Sequence, residues 1–186
     1  MLKNSVRIIG GKYRSRKLSF PDSLELRPTH DRVRETLFNW LAPFVVDSVC
    51  LDLFAGSGVL GFEALSRGAK WVSFVDKNRE IVDQLASNQK LLKIENCEII
   101  AAAIPSVLKL KQRAFNIVFL DPPYQSHLLA ESVALLEQQQ LVETGSLVYC
   151  ETARGLDWSF LPDHWELYKE SCTRTLEYRL LRLKND

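Results

Sequence analysis

Asp52-Leu53-Phe54-Ala55-Gly56-Ser57-Gly58-Val59-Leu60-Gly61 is the stretch from which the fold can be read. Before it, Val49–Leu53 is apolar and bounded by the glycines that follow, which predicts a strand. Beyond it, Val59–Arg67 reads as a helix that stops at Gly68. Gly56-Ser57-Gly58-Val59-Leu60-Gly61 is a complete G-x-G-x-x-G, placed between strand and helix, where such a match is informative. Glycines there let the chain turn tightly and approach a ligand closely. The helix start behind them offers unpaired N–H groups to an anion. Asp76 closes the next predicted strand, 20 positions after Gly56. A carboxylate at that place can accept hydrogen bonds from both ribose hydroxyls of an adenosine.

Outward from this motif the two kinds of element alternate. Trp71–Asp76, Cys97–Ala101, Phe115–Leu120 and Ser146–Glu151 read as strands; Arg79–Leu92 and Leu128–Gln138 read as helices, with a short helix around Ser106–Lys111. Such alternation means βαβ units, hence an α/β fold with a doubly wound, mostly parallel sheet and helices on both faces. Ile117-Val118-Phe119-Leu120 is apolar throughout, as a strand covered on both faces should be. Trp165–Glu170 and Thr175–Leu183 have no helix between them and predict an antiparallel hairpin at one edge. Upstream, Arg7–Leu18 reads as two short strands turning about Gly10-Gly11, and Pro21-Asp22-Ser23 as a loop. Val33, Leu37, Phe38, Trp40 and Leu41 have helical spacing, and Pro43 ends that helix. The organisation expected is a small basic extension over residues 1–26 ahead of a main domain over 27–186.

The chain has 186 residues, 46% hydrophobic and 25% charged, which suits a globular chain and excludes a disordered or collagen-like one. Its longest apolar run, Ile99–Ile104, is far short of the roughly 20 residues needed to span a bilayer, and no signal peptide is expected. These features predict a soluble, cytoplasmic protein without membrane association. Cys50, Cys97, Cys150 and Cys172 form no C-x-x-C pair, so four buried reduced thiols and no metal site are expected. The net charge of +1 hides an asymmetry. Residues 1–35 carry nine Lys or Arg against four acids, a local +5, and the remainder is −4. That imbalance points to an anionic partner for the N-terminal segment.

Both NAD and S-adenosylmethionine have an adenosine ribose for Asp76, but they differ at the other end. A pyrophosphate on the glycine loop would be repelled by Asp52, four residues before Gly56; the ammonium of S-adenosylmethionine profits from it. Asp121-Pro122-Pro123-Tyr124 decides between them. It follows a predicted strand, so Asp121 faces the crevice beyond the strand ends. The paired prolines stiffen the loop and leave carbonyls free as acceptors. A carboxylate, a carbonyl and a ring suit a planar base with an exocyclic amine, the acceptors holding the amine and Tyr124 stacking on the base. A dehydrogenase has no use for that set.

Asp52–Gly61, Asp76 and Asp121–Tyr124 resemble the motifs of class I S-adenosylmethionine-dependent methyltransferases that act on amino groups of nucleobases. Arg7–Leu18, followed by Arg27-Pro28-Thr29 with Arg34-Glu35, narrows the resemblance to the RsmD family over essentially the whole chain. Those bacterial enzymes methylate the N2 amine of a guanine in small-subunit (16S) ribosomal RNA. The resemblance implies a seven-stranded Rossmann-like sheet, a basic extension lying over the cleft, and S-adenosylmethionine as cofactor. It implies that Asp52, Phe54, Ala55, Gly56, Ser57, Gly58, Asp76, Lys77, Ala102 and Ala103 bind the cofactor, and that Asp121, Pro122 and Tyr124 act on the target amine. Lys12, Tyr13, Arg14, Arg16, Lys17, Arg27 and Arg34 would contact RNA, with the four cations Lys12, Arg14, Arg16 and Lys17 on one short hairpin. The partner implied is 16S rRNA within an assembling small subunit. The chain departs from many class I enzymes at Ile100-Ala101-Ala102-Ala103-Ile104, which lacks an acid near the adenine; the alanines are read as the floor under that ring. The rival reading is an adenine-N6 methyltransferase acting on DNA or RNA.

Overall fold

The apolar alternation between Val49 and Ala153 folds as a parallel sheet whose strands feed helices on alternate faces. A computed structural model describes residues 4–21, 31–106, 110–112, 114–123 and 127–184. In chain order the elements are β1 (Asn4–Arg7), β2 (Lys17–Phe20), α1 (Asp31–Leu41), β3 (Val49–Asp52), α2 (Val59–Ser66), β4 (Trp71–Asp76) and α3 (Arg79–Leu92). They continue with β5 (Cys97–Ala101), β6 (Ile117–Leu120), α4 (Leu128–Gln138), β7 (Leu147–Ala153), β8 (Trp165–Cys172) and β9 (Leu176–Leu183). The main sheet has seven strands in the order β5-β4-β3-β6-β7-β9-β8. Pairings from β5 to β7 are parallel; β9 inserts antiparallel between β7 and β8. The expected doubly wound sheet with its antiparallel C-terminal strands is therefore present.

Successive strand residues point to opposite faces, and two apolar clusters follow. Cys50, Val72, Phe74, Ile117, Phe119, Leu147 and Tyr149 pack with α1, α2 and α3 on one face. Leu51, Val75, Val118, Leu120, Val148 and Cys150 pack with α4 and the C-terminal strands on the other. α1 ends at Leu41, just before the residue that Pro43 biases away from helix. α3 is capped by Asn78, whose Oδ1 accepts the Glu80 N–H at 2.8 Å.

α2 is buried on every side, because a second layer covers it. Val6, Ile8, Leu18 and Phe20 from the N-terminal strands join the first apolar cluster. β1 and β2 pair from Asn4↔Phe20 to Arg7↔Lys17, so the connection runs from Ile8 to Arg16 and is no tight turn at Gly10-Gly11. The glycines serve α2 instead: Gly11 has φ +74, and a Cβ there would collide with the Ser66 carbonyl. Of the four cations expected on strands, Lys17 alone lies in one; Lys12, Arg14 and Arg16 sit in the connection.

That connection does not lie over the strand ends where ligands bind. Lys12 N–H donates to the Ser66 carbonyl at 2.7 Å, and Ser66 is the last residue of α2. α2 starts at the glycine loop and runs back toward the amino end of β4, a rise of about 12 Å over eight residues. The basic loop is thus at the end of α2 opposite the crevice, which corrects the expected placement.

Two smaller expectations also change. Residues 107–109 of the short helix expected around Ser106–Lys111 lie outside the described residues, and Ser106, Leu110 and Lys111 are not helical. Cys50, Cys97 and Cys150 are buried free thiols, but Cys172, at the end of β8, is exposed. Among the described residues no helix is long and apolar enough to cross a membrane, and no His, Cys, Asp and Glu group could hold a metal ion.

Candidate active site

In a doubly wound sheet the ligand crevice lies beyond the carboxyl ends of the strands, where connections depart in opposite directions. Here that point falls between β3 and β6, since β3 leads to β4 on one side and β6 leads to β7 on the other. Asp52 is the last residue of β3, Asp76 the last of β4 and Ala101 the last of β5; Asp121 follows directly on β6. The register sets them level: Asp52 stands opposite Phe74 and Phe119, and Asp76 opposite Ala101. Three carboxylates distant in sequence therefore ring one crevice.

The glycine loop crosses it. Gly58 precedes α2 with φ +76, a backbone state that side chains disfavour. A Cβ on Gly61 would run into the Phe74 ring, so its absence lets α2 lie close on β4. Asp76 is tied to the loop: its Oδ2 accepts the Gly56 N–H at 3.0 Å and its Oδ1 the Asn78 N–H at 2.9 Å. Asp76 keeps part of its surface exposed toward the crevice end of the sheet. Ala55 and Ser57 are buried, Phe54 is half-buried against the second cluster, and Lys77 is exposed. Ala102 is half-buried and donates its N–H to the Asp76 carbonyl at 3.0 Å; Ala103 is exposed. Asp121 is half-buried and Pro122 buried, whereas Tyr124 lies outside the described residues.

Asp52 is 2% exposed, and its Oδ2 accepts the Gly61 N–H at 3.1 Å, capping α2 where Gly58 has no side chain to do so. Burial pushes its carboxyl up to about 7; the Gly61 hydrogen bond opposes this and the Asp76 charge adds to it. No cation offsets that rise. Between an unfolded value of about 4 and the folded value, the native chain holds a proton that the unfolded chain has released. Stability should then fall as pH rises through that window, by up to about 1.4 kcal/mol per unit. Asp52→Asn removes this contribution, so its melting temperature should decline less between about pH 4 and 7 than that of the wild type. Parallel pH curves for the two proteins would contradict the assignment.

Three residues expected to meet RNA need separate treatment. Arg27 lies outside the described residues. Arg34 is fully buried: it donates to the Arg7 carbonyl at 2.9 Å and to Asp31 at 2.6 Å, and lies 3.7 Å from Glu63. Its guanidinium is consumed inside the fold, so Arg34 is a structural clamp and no RNA ligand. Tyr13 is half-buried against the first cluster with the Lys12 ammonium 5.4 Å from its ring centre, so its ring is not free to stack on a base.

Sequence reasoning passed over Glu63, the centre of that clamp. Its carboxylate accepts the Ile9 and Gly10 N–H groups, each at 2.8 Å, and pairs with Arg67 at 2.8 Å. The available signal was a lone acid in the otherwise uncharged Val59-Leu60-Gly61-Phe62-Glu63-Ala64-Leu65-Ser66, where an unpaired charge would be intolerable.

The chain resembles known proteins along its length. A family described as conserved hypothetical protein 95 matches residues 6–182. Ribosomal RNA small subunit methyltransferase D of Escherichia coli (strain K12) is 46% identical over 175 residues, covering 94% of this chain and 88% of that one. The protein of the same name from Haemophilus influenzae is 44% identical, covering 96% and 94%. A solved Escherichia coli structure, described as a candidate methyltransferase, superposes with a TM-score of 0.88 at 42% identity over 98% of this chain and 100% of that one.

Proposed function

The chain belongs to the ribosomal RNA small subunit methyltransferase D (RsmD) family and is an rRNA methyltransferase, and we propose that it methylates the exocyclic N2 amine of a guanine in 16S rRNA with S-adenosylmethionine as donor. The observation that carries this reading is the meeting of Asp76, Asp52 and Asp121 at the ends of adjacent strands, with the glycine loop between them. On this reading the partner is 16S rRNA in an assembling small subunit and the setting is the cytoplasm.

The donor set fits the cofactor. Asp76, held by Gly56, presents its carboxylate to the ribose, and Ala102 and Ala103 border the adenine. Asp52, buried without a cation, suits the ammonium of the methionyl end. S-adenosylmethionine, when bound, supplies a methyl group made electrophilic by its sulfonium. The target amine is a poor nucleophile, because its lone pair is delocalised into the purine ring. Asp121 and the Pro122 carbonyl accept its hydrogens, orient the lone pair, and offset the positive charge that grows on nitrogen as the N–C bond forms. Holding the amine in line with the methyl carbon supplies much of the remaining rate. Tyr124 stacks on the flipped base.

Asp76→Ala should leave the fold intact and weaken S-adenosylmethionine binding by about 1.5–3 kcal/mol, the value of a charge-assisted hydrogen bond. Calorimetry of both proteins measures this, and an unchanged affinity would move the ribose contact elsewhere. The function itself is tested by mass spectrometry of 16S rRNA from a strain lacking the gene. Loss of one N2-methylguanosine is expected, and an unchanged guanine profile with a lost N6-methyladenosine would transfer the activity to adenine.

A further inference from the structure

Among the described residues, 4–21 contain no acid and five cations: Arg7, Lys12, Arg14, Arg16 and Lys17, all exposed. Three of them ride on the Ile8–Arg16 loop, which is held far more firmly than solubilising charge requires. Ser66 binds it three times: its carbonyl accepts from Lys12 N–H at 2.7 Å, its Oγ accepts from Tyr13 N–H at 2.8 Å, and the same hydroxyl donates to the Gly10 carbonyl. Glu63 takes the Ile9 and Gly10 N–H groups, and the loop closes on itself through Ser15 N–H to the Ile8 carbonyl at 2.8 Å. Cations on a fixed backbone lose less entropy on meeting an anionic surface.

The location is as informative as the charge. The loop is fastened to the last residue of α2, and the crevice is at the first. About 12 Å of helix separates them, the length of roughly four stacked nucleotides. Cations at that distance cannot touch the base being modified.

We propose that the Ile8–Lys17 segment is a second RNA contact, remote from the crevice, which grips phosphates several nucleotides away from the target base. It deepens the reading of the chain as an rRNA methyltransferase and rests on it. It makes the enzyme favour a folded RNA that continues past the crevice along the α2 side of the molecule over an isolated target stem-loop. Phosphate is the fitting ligand because the surface offers several positive charges and no acid, and backbone contacts of this kind position an RNA without reading its sequence.

The test uses the full chain and the variant with Lys12, Arg14, Arg16 and Lys17 all replaced by Ala. The probes are the full-length 16S transcript and a stem-loop that ends within about four nucleotides of the methylated guanine. For the transcript, the plot of log affinity against log salt should flatten by about 0.7 per lost phosphate contact. In methylation assays, the preference for transcript over stem-loop, taken from the ratio of their KM values, should shrink by about tenfold. Superimposable salt slopes would overturn the proposal. So would an equal loss on both RNAs, which would return the loop to the crevice. A loss seen with assembled subunits but not with protein-free transcript would assign the loop to a protein partner and also overturn it. If the wild type methylates neither RNA, the functional reading fails, while the salt slopes still decide the role of the loop.

Discussion

Asp121→Ala is expected to slow single-turnover methyl transfer by about a hundredfold or more, the usual cost of removing a preorganised group aimed at developing charge. The effect should fall on the chemical step, because Asp121 stands beyond β6 on the side of the crevice away from Asp76 and the glycine loop. Calorimetry should accordingly find S-adenosylmethionine binding weakened less than in Asp76→Ala. Asp121→Asn sharpens the test, since the amide still accepts one hydrogen of the amine but can neither take a proton nor offset charge. If charge compensation dominates, Asn should be nearly as slow as Ala; if orientation dominates, Asn should recover much of the rate. A wild-type single-turnover rate in Asp121→Ala would remove it from the reaction altogether.

The crevice could be read from the sequence because each of its acids directly follows or ends an apolar strand. Asp52, Asp76 and Asp121 are thus placed by strand periodicity alone, and the parallel register brings them level without any long-range information. The N-terminal layer was opaque for the opposite reason. Gly10-Gly11 looks like the turn of a hairpin, but Gly11 answers to the Ser66 carbonyl, 55 positions away. Arg34 looks like a ligand for phosphate because it shares a segment with other cations, and only the position of Glu63, 29 residues later, shows that its charge is already matched. Local pattern reports the alternation of faces; it does not report which charges the fold will draw inside. Cys172 illustrates the same limit, since a cysteine near a strand end is buried only if something covers that end.

Glu63→Ala should be the most destabilising single change among the residues of this layer. Glu63 and Arg34 both have fully buried side chains, so removing the acid leaves a buried guanidinium matched by Asp31 alone, whose own side chain is 62% exposed. It also strips the Ile9 and Gly10 N–H groups and Arg67 of their acceptor. Breaking a buried pair from one side typically costs about 3–5 kcal/mol. For a chain of this size each kcal/mol lowers the melting temperature by about 2–4 °C, so a fall of roughly 6–20 °C is expected. Glu63→Gln keeps one carbonyl oxygen for the loop but loses the charge that faces Arg34, and it should fall between Ala and wild type. The functional consequence separates the two ends of α2. At a temperature where Glu63→Ala remains folded, S-adenosylmethionine should still bind, because Asp52 and Asp76 hold the glycine loop independently of Glu63. The salt dependence of RNA binding should flatten, because the basic loop has lost its anchor. A melting temperature within about 3 °C of wild type would show that the loop and Arg34 are held by other contacts.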